Sequence, residues 1–140
     1  MRMRQLVLDT NVVLDLFVFD DQAARALHQR LHAGEVKWLA TAAMREELAR
    51  VLVYPQIAAR LAAGGLGAEG VLAQFDRFAC LAEAPQAAPV ACTDGDDQKF
   101  IDLAVAHRAT LLSKDAAVLK LRKRLVALDV GVAPALSLLN

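Results

Sequence analysis

Four carboxylates, Asp9, Glu47, Asp97 and Asp115, stand where acids distant in sequence could meet. Asp9 directly follows the short apolar run 5–8, Gln-Leu-Val-Leu, and Asp115 comes two residues after the run 110–113, Thr-Leu-Leu-Ser. Asp97 opens a helical pattern that leads into that second run, and Glu47 lies within two turns of the start of another. Gathering such groups is unfavourable by itself, because two unit charges about 4 Å apart repel by about 1 kcal/mol in water and about 4 kcal/mol at an effective dielectric near 20. A divalent cation turns that repulsion into a binding site, and an all-oxygen donor set selects hard ions such as Mg²⁺ or Mn²⁺ over zinc. Such an ion can acidify a bound water, orient it and neutralise charge on phosphate oxygens, so hydrolysis needs no nucleophilic side chain.

Each acid taken alone has a plainer role. Asp9-Thr10-Asn11 is good turn chemistry, Asp96 and Asp97 complement a helix N-terminus, Ser113 and Asp115 can cap the helix after them, and Glu46 and Glu47 read as charges on an exposed helix face. The metal-site reading rests on the combination.

The elements that must position these acids alternate between strand and helix. Residues 5–8 are apolar at successive positions, as in a parallel strand buried on both faces. Asp20-Asp21 introduces a helix to about Ala33, ended by Gly34. Residues 36–40 read as a second strand, and Thr41 caps a helix running to about Val53, before Pro55. From Ile57 to Phe78 two Ala-rich helices are broken by Gly64-Gly65-Leu66-Gly67. Residues 79–84 supply a third strand, 85–89 a loop, and a helix runs from Asp97 to about His107-Arg108. The strand 110–113 is followed by a helix to about Arg124, an edge strand over 130–133, and a terminal helix that Pro134 can open. This alternation implies crossover connections, a three-layer α/β/α architecture and a central, mainly parallel sheet of about five strands. In such sheets ligands bind at the carboxyl ends of the strands, where Asp9 and Asp115 fall.

The 140 residues suit a single domain, 1–140, and a hydrophobic content of 56% argues against disorder. Sixteen basic residues balance sixteen acidic ones, so any attraction to nucleic acid must be local. Cys80 and Cys92 are too far apart for a CxxC motif and read as buried and reduced. No apolar run reaches the length of a secretory or membrane-spanning segment, which implies a cytoplasmic protein without a membrane partner. His28 and His32 share a helix face at a zinc-compatible spacing but lack a third ligand, and they read as surface residues. Trp38 and the phenylalanines at 75, 78 and 100 read as core.

Four segments in order, Leu6-Val-Leu-Asp-Thr-Asn11, Arg45-Glu-Glu-Leu-Ala-Arg-Val-Leu52, Asp94-Gly-Asp-Asp-Gln-Lys-Phe-Ile101 and Leu111-Leu-Ser-Lys-Asp115, span nearly the whole chain. Together they resemble the PIN-domain ribonucleases, especially the bacterial branch that includes toxins of toxin–antitoxin modules. The resemblance implies a PIN-like fold and a Mg²⁺- or Mn²⁺-dependent endoribonuclease acting on single-stranded RNA and leaving 5′-phosphate and 3′-hydroxyl ends. By it, Asp9, Glu47, Asp97 and Asp115 are the metal-binding, catalytic acids. Thr10, Asn11 and Ser113 hold acids and water, with Asp96 beside them. The paired acids leave Glu46 against Glu47, and Asp96 against Asp97, open by one residue, and Asp94 is an extra ligand candidate. Lys114 stands where relatives often have Gly. Arg45, Lys99 and Lys114 are candidates for RNA-phosphate contacts, as is the run Lys120, Arg122, Lys123, Arg124. The resemblance also implies an antitoxin partner, and the apolar stretch from Val53 to Phe78 suggests a homodimer or a docking groove.

Two rivals remain. A phospho-aspartate phosphatase wants Asp-x-Asp after the first strand, where this chain has Asp9-Thr-Asn11. A non-catalytic RNA- or protein-binding module with a PIN-like fold would use the same scaffold without cleavage.

Overall fold

Leu6, Val7 and Leu8 are all but inaccessible to solvent, and that requires covered faces and a partner on each edge. In the computed structural model, which describes residues 3–135, strand β1 (Arg4–Leu8) is the centre of a five-stranded sheet in the order β3-β2-β1-β4-β5. β2 (Val36–Ala40) pairs with β1 on one side, Leu6 opposite Trp38. β4 (Thr110–Leu112) pairs on the other, Leu8 opposite Leu112. β3 (Ala79–Leu81) and β5 (Val132–Ala133) form the edges, and every pairing is parallel.

Between β1 and β2 lie α1 (Thr10–Phe17) and α2 (Gln22–His32). Between β2 and β3 lie α3 (Ala42–Val51), α4 (Pro55–Ala63) and α5 (Ala68–Phe78). A 3-10 turn (Gly95–Asp97) and α6 (Gln98–His107) precede β4, and α7 (Ala116–Leu119) and α8 (Arg122–Val126) follow it. The chain moves outward from β1 to β3, then returns to the other side of β1 for β4. Right-handed crossovers therefore put α1–α5 on one face and α6–α8 on the other. The reversal lies between β1 and β4, and the carboxyl ends flanking such a reversal form the usual ligand crevice of an open α/β sheet.

Helix α1 is the element that the sequence pattern does not announce. Val12, Val13, Leu14 and Leu16 are all buried, so its polar side is reduced to Thr10, Asn11 and Asp15 within eight residues, and its β-branched residues are modest helix formers. Burial and the Asp9 cap impose the helix. Three boundaries also differ from expectation. β3 ends at Leu81 rather than residue 84 because its partner β2 ends at Ala40, which still accepts a bond from the Ala82 amide (2.8 Å). β5 covers only Val132–Ala133, not 130–133. The helix expected to Arg124 is two short helices, whose junction keeps Val118, Leu121 and Leu125 buried together. The terminal helix expected from Pro134 falls, beyond Ala135, outside the described residues.

Helix α2 stops as its glycine implies. Gly34 has φ +73°, with Gly34 N–H donating to the Leu31 carbonyl (3.2 Å) and Glu35 N–H to the Arg30 carbonyl (2.9 Å), the doubly bonded helix end that favours a left-handed residue. No heavy atom lies within 4 Å of a Cβ added there. Gly34→Ala is thus expected to cost about 1 kcal/mol through backbone strain alone. An unchanged urea midpoint would refute that account.

Among the described residues no helix is long and apolar enough to cross a membrane. Trp38, Phe75 and Phe100 are core, as expected, whereas Phe78 is only partly buried. Cys80 corrects the expectation of two buried cysteines: it is exposed on the edge strand, Cys92 is half-buried, and both are free.

Candidate metal centre

The site grows out of the ends of β1 and β4. Past Leu8, the Asp9 amide continues the ladder to the Leu112 carbonyl (3.1 Å). The chain then turns into α1, with Asp9 as its cap: Oδ1 accepts the Val12 N–H (3.1 Å) and Oδ2 accepts the Ser113 hydroxyl. Asp9 is only 2% exposed. Burial raises its pKa above the ordinary carboxylate value. The bonds from Ser113 and from the Val12 amide pull it back, and the charge of Asp115 raises it again. Ser113, fully buried at the end of β4, links two acids, because its Oγ also accepts the Asp115 amide (3.1 Å). Asp115 in turn caps α7 by accepting the Ala117 N–H (2.8 Å).

The third segment of the site is the 3-10 turn before α6. Asp94 caps it, Oδ1 accepting the Asp96 N–H (3.0 Å). This places carboxylate oxygens of Asp94, Asp97 and Asp115 all within 4.8 Å of one another. Asp97 Oδ2 is buried and has no hydrogen-bond partner among the described residues. Its pKa is pushed up to about 7, by burial first, then by the charge of Asp115 and a proton-sharing hydrogen bond with that carboxylate, with the charges of Asp94 and Asp9 adding to it. An unpartnered buried acceptor among repelling carboxylates is the environment a hard divalent cation relieves. The donor set fits such an ion.

Glu47 is placed differently. Its Oε1 receives Lys99 Nζ (2.9 Å) and its Oε2 the Thr10 hydroxyl. Lys99 also donates to the Asp96 carbonyl (2.5 Å). Glu47 therefore joins the site through Thr10, next to Asp9, with an ammonium already beside it. Of the two acid pairs, Glu47 and Asp97 are half-buried, whereas Glu46 and Asp96 are exposed. Asn11 is exposed, and its backbone N–H, rather than its side chain, bears on Asp9.

Three of the expected phosphate contacts, Arg45, Lys99 and Lys114, are engaged with acids. Arg45 forms a two-pronged pair with Asp76 (2.8 and 2.9 Å), tying α3 to α5. Lys114 pairs with Asp15 of α1, and Lys99 with Glu47. Asp15 is a partner that sequence reasoning does not find, since it becomes visible only once α1 is known to be a helix. Lys120, Arg122, Lys123 and Arg124 are exposed. His28 packs edge-on against Phe17 and Phe78 (6.0 Å each) beside a cavity of about 520 Å³ that His32 also lines. Among the described residues, neither histidine belongs to a metal-competent group.

No curated protein matches this chain. A family model described as a PIN domain matches residues 5–117, a stretch that begins in β1 and closes just past Asp115. Its span takes in both strand ends, the capped 3-10 turn and the helix bearing Glu47, and on that match the chain belongs to the PIN-domain family.

Proposed function

We propose that this protein is a metal-dependent endoribonuclease that hydrolyses phosphodiester bonds of single-stranded RNA. Asp9, Asp97 and Asp115, with Asp94, would hold Mg²⁺ or Mn²⁺, and Glu47 would complete the catalytic acids. The observation that carries the proposal is the buried, partnerless Asp97 Oδ2 facing acids that repel it. Membership of the PIN family supports nuclease chemistry, and the preference for RNA follows from the resemblance. A bound hard cation supplies neutralisation of phosphate charge and a more acidic water. The chain's own part is positional. Ser113 fixes the orientation of Asp9 and the start of α7, the α1 and α7 caps keep two carboxylates from turning away, and Lys99 is the cation nearest Glu47 for a substrate phosphate. A toxin role, restrained by an antitoxin, belongs to the same proposal. So does a homodimer, for which Val53, Tyr54 and Leu66 are exposed large apolar side chains of the α3–α5 region; light scattering at micromolar concentration tests it.

The decisive test is a panel of single-stranded RNAs incubated with Mg²⁺ or Mn²⁺, with product ends identified. Cleavage yielding 5′-phosphate and 3′-hydroxyl ends is expected. Tight binding without cleavage in either metal would replace the proposal with the binding-module reading. In parallel, Mn²⁺ at about a hundred times its Kd is expected to stabilise the protein by about 2.7 kcal/mol, and this should largely vanish in Asp9→Asn.

A further inference from the structure

The acid that completes the close trio, Asp94, is exposed and ends a stretch, residues 82–94, with no helix or strand. An exposed carboxylate on irregular chain has every electrostatic reason to swing away from Asp97 and Asp115. Two side chains of α6 oppose this. The Gln98 amide acts as a substitute strand neighbour: its Oε1 accepts the Cys92 N–H (2.7 Å) and its Nε2 donates to the Val90 carbonyl (2.9 Å). The same Nε2 donates to Asp102 Oδ1 (2.8 Å), which also accepts the Ala88 N–H (2.9 Å). Three hydrogen bonds thus fasten residues 88–92 to α6, and the Gln98–Asp102 bond within the helix couples the two side chains, with Val90 buried beneath them. On the far side Cys92 Sγ contacts the Ala117 carbonyl at the start of α7 (3.8 Å).

We propose that Gln98 and Asp102 are positioning residues that clamp the 88–92 segment and thereby hold Asp94 in the cation site. This rests on the metal-site reading above and adds to it a requirement outside the acids. Neither residue touches the ion. Gln98 is needed as donor and acceptor together, and Asp102 only as an acceptor, because both of its bonds arrive at one oxygen.

Direct Mn²⁺ titration, with free ion read by electron paramagnetic resonance, tests the clamp without recourse to activity. Gln98→Ala and Asp102→Ala are each expected to weaken Mn²⁺ binding about tenfold, the scale for residues that orient ligands. Asp102→Asn, which keeps the acceptor, should stay within about twofold of wild type. In an Asp94→Ala background, Gln98→Ala should add nothing, because the two changes act through one carboxylate. A full tenfold effect in that background, or none in the native one, would overturn the proposal. A wild-type protein that binds no Mn²⁺ would remove the metal reading and this role with it. The clamp is then still read separately by amide exchange, where Gln98→Ala should release Cys92 and Asp102→Ala should release Ala88; unchanged exchange at both would show that the contact holds nothing.

Discussion

Asp97→Asn is expected to stabilise the metal-free protein by about 1–2 kcal/mol at pH 8 while lowering RNA cleavage by about 10²–10³-fold. The opposite signs come from one cause. The carboxyl of Asp97 titrates at about 7 in the fold, against an ordinary value of 3.8. Between those values the native state keeps a proton that the unfolded chain has released, so stability falls as pH rises through this window and stays reduced above it. Asparagine cannot ionise, and its substitution removes that slope. Water reaches the half-exposed carboxyl, which limits the gain to less than a dry site would give. Urea denaturation at pH 5 and pH 8 checks it. Equal slopes in wild type and variant would show that Asp97 is not the strained group. The same proton competes with a cation, so Mn²⁺ affinity in the wild type should drop by up to about tenfold per pH unit below 7.

Replacing Asp9 separates two roles held by one side chain. Asp9→Ala is expected to cost about 3 kcal/mol, since it removes the cap of α1, worth about 1 kcal/mol, and leaves the buried Ser113 hydroxyl without its acceptor, worth about 1–3 kcal/mol. Asp9→Asn keeps one oxygen for the Val12 amide, its NH2 can donate to Ser113 Oγ in place of the bond the hydroxyl gave, and it removes a carboxylate that burial penalises. Its stability should lie within about 1 kcal/mol of wild type. Both variants should lose the cation response and cleavage. If denaturation finds alanine and asparagine equal, the cap contributes nothing and Asp9 serves charge alone.

Much of this architecture is visible in the sequence, for identifiable reasons. Consecutive apolar residues mark β1, β2 and β4, Gly34 and the Gly64–Gly67 break mark helix ends, and acids just past β1 and β4 fall at the sheet reversal. What escapes is anything without local periodicity. Helix α1 is only eight residues long, with Asn11 and Asp15 as its sparse polar side against consecutive buried apolar residues, too little periodicity to reveal it, and with it goes the Lys114–Asp15 pair. Edge strands β3 and β5 are shorter than their composition suggests because a strand extends only as far as its neighbour does. The placement of Glu47 against Thr10 and Lys99, and the hold of Gln98 on Val90 and Cys92, depend on the packing of α3 and α6 around β1. No spacing within either helix encodes them.

The central strand has a consequence for how the protein comes into being. Asp9 and Ser113 bond to each other across 104 positions of sequence, and β1 lacks one of its two neighbours until β4 arrives. During synthesis at about 5–20 residues per second, Asp9 therefore waits on the order of 5–20 s for the residues that complete its surroundings. A nascent chain that has reached α5 already carries Asp9 and Glu47 but none of the three clustered acids. The site can therefore assemble only after β4 and Asp115 have emerged from the ribosome.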